Sequence, residues 1–261
     1  MEINWTFLTY LVVALFALSG FLRGWWKEAI TTLFLAILVF LLRVPGVAQA
    51  LISLVNGILA FIWGILPPSA QVFLTDLFQR AFGISTTGGV IQADANSGQT
   101  WLVLLIVFIV IASLIGWVTL PNRLDKPKGV GYAPTPLGSI LGGLIGGFNG
   151  LLVISLVREY LDGRNLPGGG SSFPTEITTT GGGTVGVASS GVSLQATQLP
   201  SFTVLDSFLP WIVILVGLLF VLAVFRNRVQ ITTDKNKFRK IEYRAPLGYK
   251  KYEYAPPPPP K

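Results

Sequence analysis

The chain has 261 residues, of which 51% are hydrophobic and only 12% charged; an ordinary soluble domain is about 25% charged. It carries 19 Lys and Arg against 12 Asp and Glu, a net charge of +7, with neither Cys nor His. Those two zeros exclude from this sequence a disulfide framework, Cys/His zinc sites, iron–sulfur clusters on Cys, imidazole-ligated haem, and Cys or His catalysis.

A helix that crosses a bilayer needs about 20 mainly apolar residues. Trp5–Leu22, Trp101–Leu120, Leu137–Val157 and Ser207–Phe225 meet or approach that length without an internal charge. Met1–Asn4 has an acid and no base, the wrong charge for a signal peptide, so the first helix is expected to stay uncleaved. Ala29–Leu42 is uncharged but short. Extended to Trp25 and Arg43 it reaches about 28 Å and predicts a second span, with Trp25, Trp26, Lys27 and Glu28 at the membrane interface. Pro45 closes it. Gly46–Leu66 is apolar too, with Gln49, Ser53 and Asn56 on one helical face. It reads as another span, or as an interfacial or re-entrant helix.

Charge chooses between these. Loops on the cytoplasmic side carry excess Lys and Arg. If Gly46–Leu66 does not cross, the segments after Leu22, Leu120 and Phe225 share one side and hold 15 of the 19 basic residues. Five spans are therefore expected, with the N-terminus outside and the C-terminus in the cytoplasm.

Between spans, Ser69–Gly83 places Val72, Phe73, Leu77 and Phe78 against Asp76, Gln79 and Arg80 at helical spacing. It predicts an amphipathic helix on the outer membrane surface, or one packed on the protein's own loops. Residues 163–206 are rich in Gly, Ser and Thr, with too few large apolar groups to offset ordering entropy. A disordered outer loop is expected there, in which Thr178–Thr180 and Val185–Val187 have the composition of short strands. No Gly-x-x-x-x-Gly-Lys-Ser/Thr phosphate loop occurs. Residues 226–261 hold ten basic and three acidic side chains. Such a tail is drawn to anionic lipid, by about 1 kcal/mol per Lys or Arg near the surface. It lacks any nucleic-acid fold motif, so nucleic acid is not an expected partner. Tyr243, Tyr249, Tyr252 and Tyr254 precede Pro256–Pro260, a polyproline II run that serves as a spacer, a disordered end, or a ligand for an aromatic groove.

Gly138, Gly142, Gly146 and Gly150 recur every four residues, with Gly143 and Gly147 beside them. Small residues at this spacing let another helix approach closely. The approaching helix belongs to this chain, to a second copy, or to a partner membrane protein. Asn149 in the same helix is expected to bond across to a neighbour or to contact a solute. No ionisable group falls inside a clear span, which argues against a proton-coupled pump. With no nucleophile motif or carboxylate pair either, no catalysis, metal or cofactor is expected.

Gly20-Phe-Leu-Arg23-Gly24-Trp-Trp-Lys27-Glu28 resembles the Gly-x-x-Arg-Gly-x-x-x-Glu junction of the colicin V production protein family. The run Leu141–Gly150 followed by Leu151–Ile154 is similar to that family's glycine-rich last helix, and Trp101–Leu120 takes the place of its third. The resemblance covers about residues 5–162. In physical terms, Arg23 and Lys27 mark the cytoplasmic side, Gly24 permits a tight turn, and Glu28 sits where a helix dipole favours an anion, within reach of Arg23. Gly138 and Ser139 stand where the family usually has an acid and an Arg, and Asn149 replaces a basic residue. The resemblance implies a bacterial inner-membrane protein linked to colicin V production or export and to envelope homeostasis. The resulting expectation is an all-α membrane protein. It comprises a helical domain over 1–162, the loop at 163–206, an additional span at 207–225 and a basic tail over 226–261. Its expected role is non-enzymatic, as a scaffold or passive path. An accessory subunit of a larger membrane complex and a small-solute transporter are the competing readings.

Overall fold

A computed structural model describes residues 2–82, 86–87, 90–120, 130–162, 166–167, 185–189, 192–197, 205, 208–233, 239–243 and 245–253. A short strand β1 (Glu2–Asn4) leads into α1 (Trp5–Arg23), where Asn4 Oδ1 accepts the backbone N–H groups of Thr6 and Phe7 at 2.9 and 3.3 Å. That is an N-cap. Gly24 ends α1 at φ 81°, donating its N–H to Gly20 O at 2.7 Å. A side chain is disfavoured at that φ, so the single residue turns the chain directly into α2 (Trp25–Arg43). Pro45 starts α3 (Pro45–Ile65), as Pro does at a first helical position, and α4 (Pro68–Phe82) follows. Then come β2 (Thr86–Thr87), β3 (Val90–Ile91), α5 (Gly98–Thr119), β4 (Val130–Pro134) and α6 (Pro136–Asp162). The chain ends with β5 (Val185–Ser189), β6 (Val192–Thr197), α7 (Leu209–Arg228), β7 (Val229–Thr233), β8 (Arg239–Tyr243) and β9 (Tyr249–Glu253).

The fold is mostly helical, with five helices long and apolar enough to cross a membrane: α1, α2, α3, α5 and α6. α1, α2, α5 and α6 coincide with four of the five expected spans. The segment Gly46–Leu66 falls in α3 (Pro45–Ile65), one unbroken helix of 21 residues. Its glycines Gly57 and Gly64 face open space and do not interrupt it. Most of Ser207–Phe225 lies in α7, a helix of 20 residues over Leu209–Arg228.

The chain divides into two compact units. The first takes Met1–Leu8, Ile37–Val107 and Val153–Pro210. In it, Trp63 of α3 is buried with Leu59, Leu66, Leu74 and Val103, and Gln71 Nε2 donates to the carbonyls of Trp63 and Leu66 at 2.9 and 3.0 Å. The amphipathic segment thus packs one face of α4 on the protein itself, leaving Val72, Phe73 and Leu77 exposed. Asn56 bonds the Ala93 backbone in both directions at 3.0 and 2.7 Å. Arg43 donates to the Leu205 carbonyl, and Trp101 stacks on Tyr160 at 6.0 Å. The segment expected as a disordered loop contains an antiparallel hairpin: β5 pairs β6 (Val185↔Ala196), and β6 pairs β1 in parallel (Glu2↔Gln195). Valines at 185, 187 and 192 favour strands, and β1 supplies the extra edge. Thr178–Thr180 lie outside the described residues.

The second unit takes Thr9–Ala36, Phe108–Leu152 and Trp211–Lys261. Its core joins Trp25, Trp26, Ala29 and Ile30 to Ala112, Leu120, Tyr132 and Tyr249. Phe34 and Phe108 meet edge-on at 5.7 Å. The basic tail is folded over much of its length. β7 and β8 form a hairpin (Val229↔Tyr243), and β9 runs antiparallel to β4 (Val130↔Glu253). Tyr254 and Pro256–Pro260 lie outside the described residues.

Candidate functional site

The site grows from the glycine rows. An added Cβ on Gly142 would strike the Gly20 carbonyl, and one on Gly20 the Gly142 carbonyl. At Gly146 it would strike the Phe16 carbonyl, and at Gly150 it would lie 2.9 Å from Val13 Cα. Gly143 and Gly147 leave room, with nearest contacts of 3.5 and 3.6 Å to Ala17. The helix that approaches this face is α1 of the same chain. Gly138 meets the backbone of Gly248 instead. Of the alternatives left open for the face of Gly138, Gly142, Gly146 and Gly150, an approaching helix of the same chain is the one observed, at Gly142, Gly146 and Gly150.

That close approach sets the first turn of α2 beside the middle of α6. Asn149 Nδ2 donates to Glu28 O and to Glu28 Oε2, both at 3.0 Å. Thr32 Oγ1 lies 2.7 Å from Asn149 Oδ1 and 2.9 Å from Glu28 O, the two acceptors open to its hydroxyl. Glu28 is 3% exposed, and Asn149 and Thr32 are fully buried. Of the two readings of Asn149, the bond across to another helix is the one observed. Trp25, Trp26, Lys27 and Glu28 were expected at the interface; all four are buried. The Gly24 turn presses them against α5, β4 and β9, and Lys27 carbons lie 3.4 Å from a Cβ position on Gly116. Glu28 lies in the first turn of α2, as expected.

A cavity of about 400 Å³ adjoins this cluster, lined by Ser19, Arg23, Glu28, Thr31 and Ser113 among apolar residues. The first unit holds a separate cavity of about 390 Å³, walled by Leu59, Trp63, Leu74 and Val103 and nearly all apolar.

The C-terminal strand closes the corner between α1 and α2. Trp25 Nε1 donates to Leu247 O at 2.6 Å. Tyr249 donates its hydroxyl to Arg23 O at 3.1 Å and accepts the Trp26 N–H at 3.3 Å. Thr135 donates its N–H and hydroxyl to Gly248 O at 2.8 and 3.0 Å, and its Oγ1 accepts the Gly138 N–H at 3.4 Å, capping α6. Gly248, at φ 77°, allows this close passage. Sequence reasoning missed the strap. Pro246-Leu247-Gly248 is a turn signal, but nothing local ties it to a corner more than 200 residues away.

Burial pushes the Tyr249 hydroxyl pKa well above its ordinary value, so folding favours the neutral phenol. The strap's contribution is then complete below about pH 10, the ordinary tyrosine value, and is lost as pH rises towards the folded-state value. The tyrosinate absorbance that wild type has and Tyr249→Phe lacks should appear well above the ordinary tyrosine range. The variant is expected to lose about 1–3 kcal/mol, read as a lower melting temperature in mild detergent. A wild-type melting temperature would refute the strap's contribution.

No protein family, characterised protein or solved structure matches the chain.

Proposed function

We propose that this chain is a five-crossing, non-enzymatic protein of the bacterial inner membrane, acting in envelope homeostasis or secretion as a scaffold or passive path. The observation that carries the reading is the tied corner of the second unit. A Cβ position on Gly24 lies 2.8 Å from the Tyr249 ring and 3.0 Å from Pro134 Cβ. The α1–α2 corner, the α5–α6 connection and the tail therefore share a face. Returning to that face between residues 24 and 134 takes an even number of crossings. α2 and α5 supply two, so on this reading α3, although long enough to cross, does not, and α7 makes the fifth crossing. In the first unit, the β1–β6 pairing keeps the N-terminus and residues 192–197 together, which agrees with crossings by α1, α2, α5 and α6. The stretches of the second unit hold fifteen basic and five acidic residues, net +10; those of the first hold four and seven, net −3. Basic connections face the cytoplasm, which supports an outer N-terminus and a cytoplasmic tail near anionic lipid.

Helix connections bonded to one another, and a buried carboxyl bonded within the chain, suit a fixed frame. An alternating-access carrier requires its helices to rock. The likeness of residues 20–28 and 141–154 to the colicin V production family links this frame to the envelope.

With no native Cys, single-cysteine labelling tests the topology cleanly. Gln92→Cys should react with an impermeant maleimide in intact cells, and Lys250→Cys only after permeabilisation. The reverse pattern would overturn the orientation, and labelling of both from outside would overturn the five crossings. Mild-detergent purification at native expression then tests the role. Isolation alone or with copies of itself supports the scaffold. A fixed set of partners in constant ratio would make this an accessory subunit instead.

A further inference from the structure

We infer that the groove between α1 and α5 holds an aminophospholipid headgroup, with its phosphate at Arg23 and its ammonium at Glu28. The groove has a graded wall. Arg23 closes α1 at the corner, Ser19 lies one turn in, and Leu15 and Phe16 lie about 11 Å from Arg23 along the helix. On α5, Ser113 stands one turn from Ile109 and Val110, on their corner side. Glu28 and Thr31 of α2 form the floor. Charges, then hydroxyls, then apolar side chains follow one another, which is the order of head, backbone and chain in a phospholipid. The apolar end is open, with Leu15 56% and Val110 51% exposed. On helices that cross a bilayer, that surface meets acyl chains.

The two charges narrow the class further. Asn149 engages Glu28 Oε2, and Glu28 is buried and lines the groove. Burying a carboxylate is costly unless it is paired, and an ammonium supplies both charge and N–H donors. Arg23 is exposed at the rim, where its guanidinium fork matches a phosphate. A purely anionic headgroup would satisfy Arg23 and set a negative group against Glu28. Ethanolamine and choline headgroups carry the same charges, but only ethanolamine has N–H donors, so Glu28 discriminates between them.

Native mass spectrometry of the full chain in mixed micelles containing equal phosphatidylethanolamine, phosphatidylcholine and phosphatidylglycerol tests this. Wild type should retain the ethanolamine lipid over the choline lipid by about tenfold, roughly one charge-assisted hydrogen bond. Glu28→Gln, which keeps an acceptor for Asn149, should bring the two lipids level, and Arg23→Gln should weaken both. Val110→Trp, on the exposed wall, should block binding without touching the Glu28–Asn149 contact, and it serves if Glu28→Gln fails to fold. Displacement of the lipid by soluble phosphoethanolamine would show that the headgroup suffices. Its failure to compete, with the lipid preference intact, would assign the membrane lipid as the source. Equal retention of ethanolamine and choline lipids by wild type, an unchanged preference in Glu28→Gln, or a stronger hold on phosphatidylglycerol would overturn the assignment.

Discussion

Gly142→Leu is expected to prevent the chain from reaching a stable monomeric fold. Even an alanine methyl at this position would strike the Gly20 carbonyl and lie 2.7 Å from the Gly24 backbone. Neither obstacle is a side chain that could rotate aside, so α1 and α6 must separate. Overpacking usually costs about 1–3 kcal/mol, and backbone-on-backbone overlap puts Gly142→Ala at the upper end, with leucine beyond it. Gly146→Leu, against the Phe16 carbonyl, should behave alike. Gly143→Ala is the control: its methyl would meet its nearest neighbours at 3.5 Å, an ordinary contact. Melting temperature and size exclusion in mild detergent measure both. Because the seam lies within one chain, the loss should appear as unfolding and aggregation rather than as a change from oligomer to monomer. A Gly142→Leu protein with wild-type melting and elution would refute the seam.

The second large effect is expected at Asn149. Replacement by leucine removes the donors to Glu28 O and Oε2 and the acceptor near Thr32. Hydrogen bonds between membrane helices average about 0.6 kcal/mol. Here one side chain engages two neighbours, one of them a buried carboxyl, so a loss of about 2–3 kcal/mol is expected. Asn149→Asp should be worse, since it sets a second acid where the amide now donates at 3.0 Å. The double variant Glu28→Leu/Asn149→Leu should recover part of the loss, because it removes the stranded carboxyl along with its partner. A double-mutant cycle on melting free energies measures the coupling. Strict additivity of the two single variants would show that the residues do not act together.

Much of the helical layout was legible because its causes are local. α2 begins and ends at the tryptophan and arginine that bound its apolar run. The Gly24 turn was readable from a lone glycine between a charged helix end and a new apolar stretch. The glycine rows announced a close approach, but their spacing carries no label for the helix that makes it. Glu28 looked like an interfacial residue because its sequence neighbours are Trp and Lys. The residues that bury it, Asn149 and the Tyr249 strand, lie over 100 and over 200 positions away. The tail looked like a solvated basic end because its composition is polar. β9 folds back because β4 offers it a strand edge and Gly248 lets its backbone lie against Gly138.

By itself, the sequence determined that this is a helical membrane protein, roughly where its long helices begin and end, and which segments concentrate positive charge. Hydropathy, proline and glycine conformation, and charge act over one helix or one turn, so they can be read in a window of about 20 residues. Only the tertiary structure decided that α1 is the partner of the glycine face, that Glu28 is a buried group bound to Asn149, and that the C-terminal strand closes the corner. Each is a pairing between distant segments. A side chain states what kind of surface it needs, and only the packed chain shows which surface meets it.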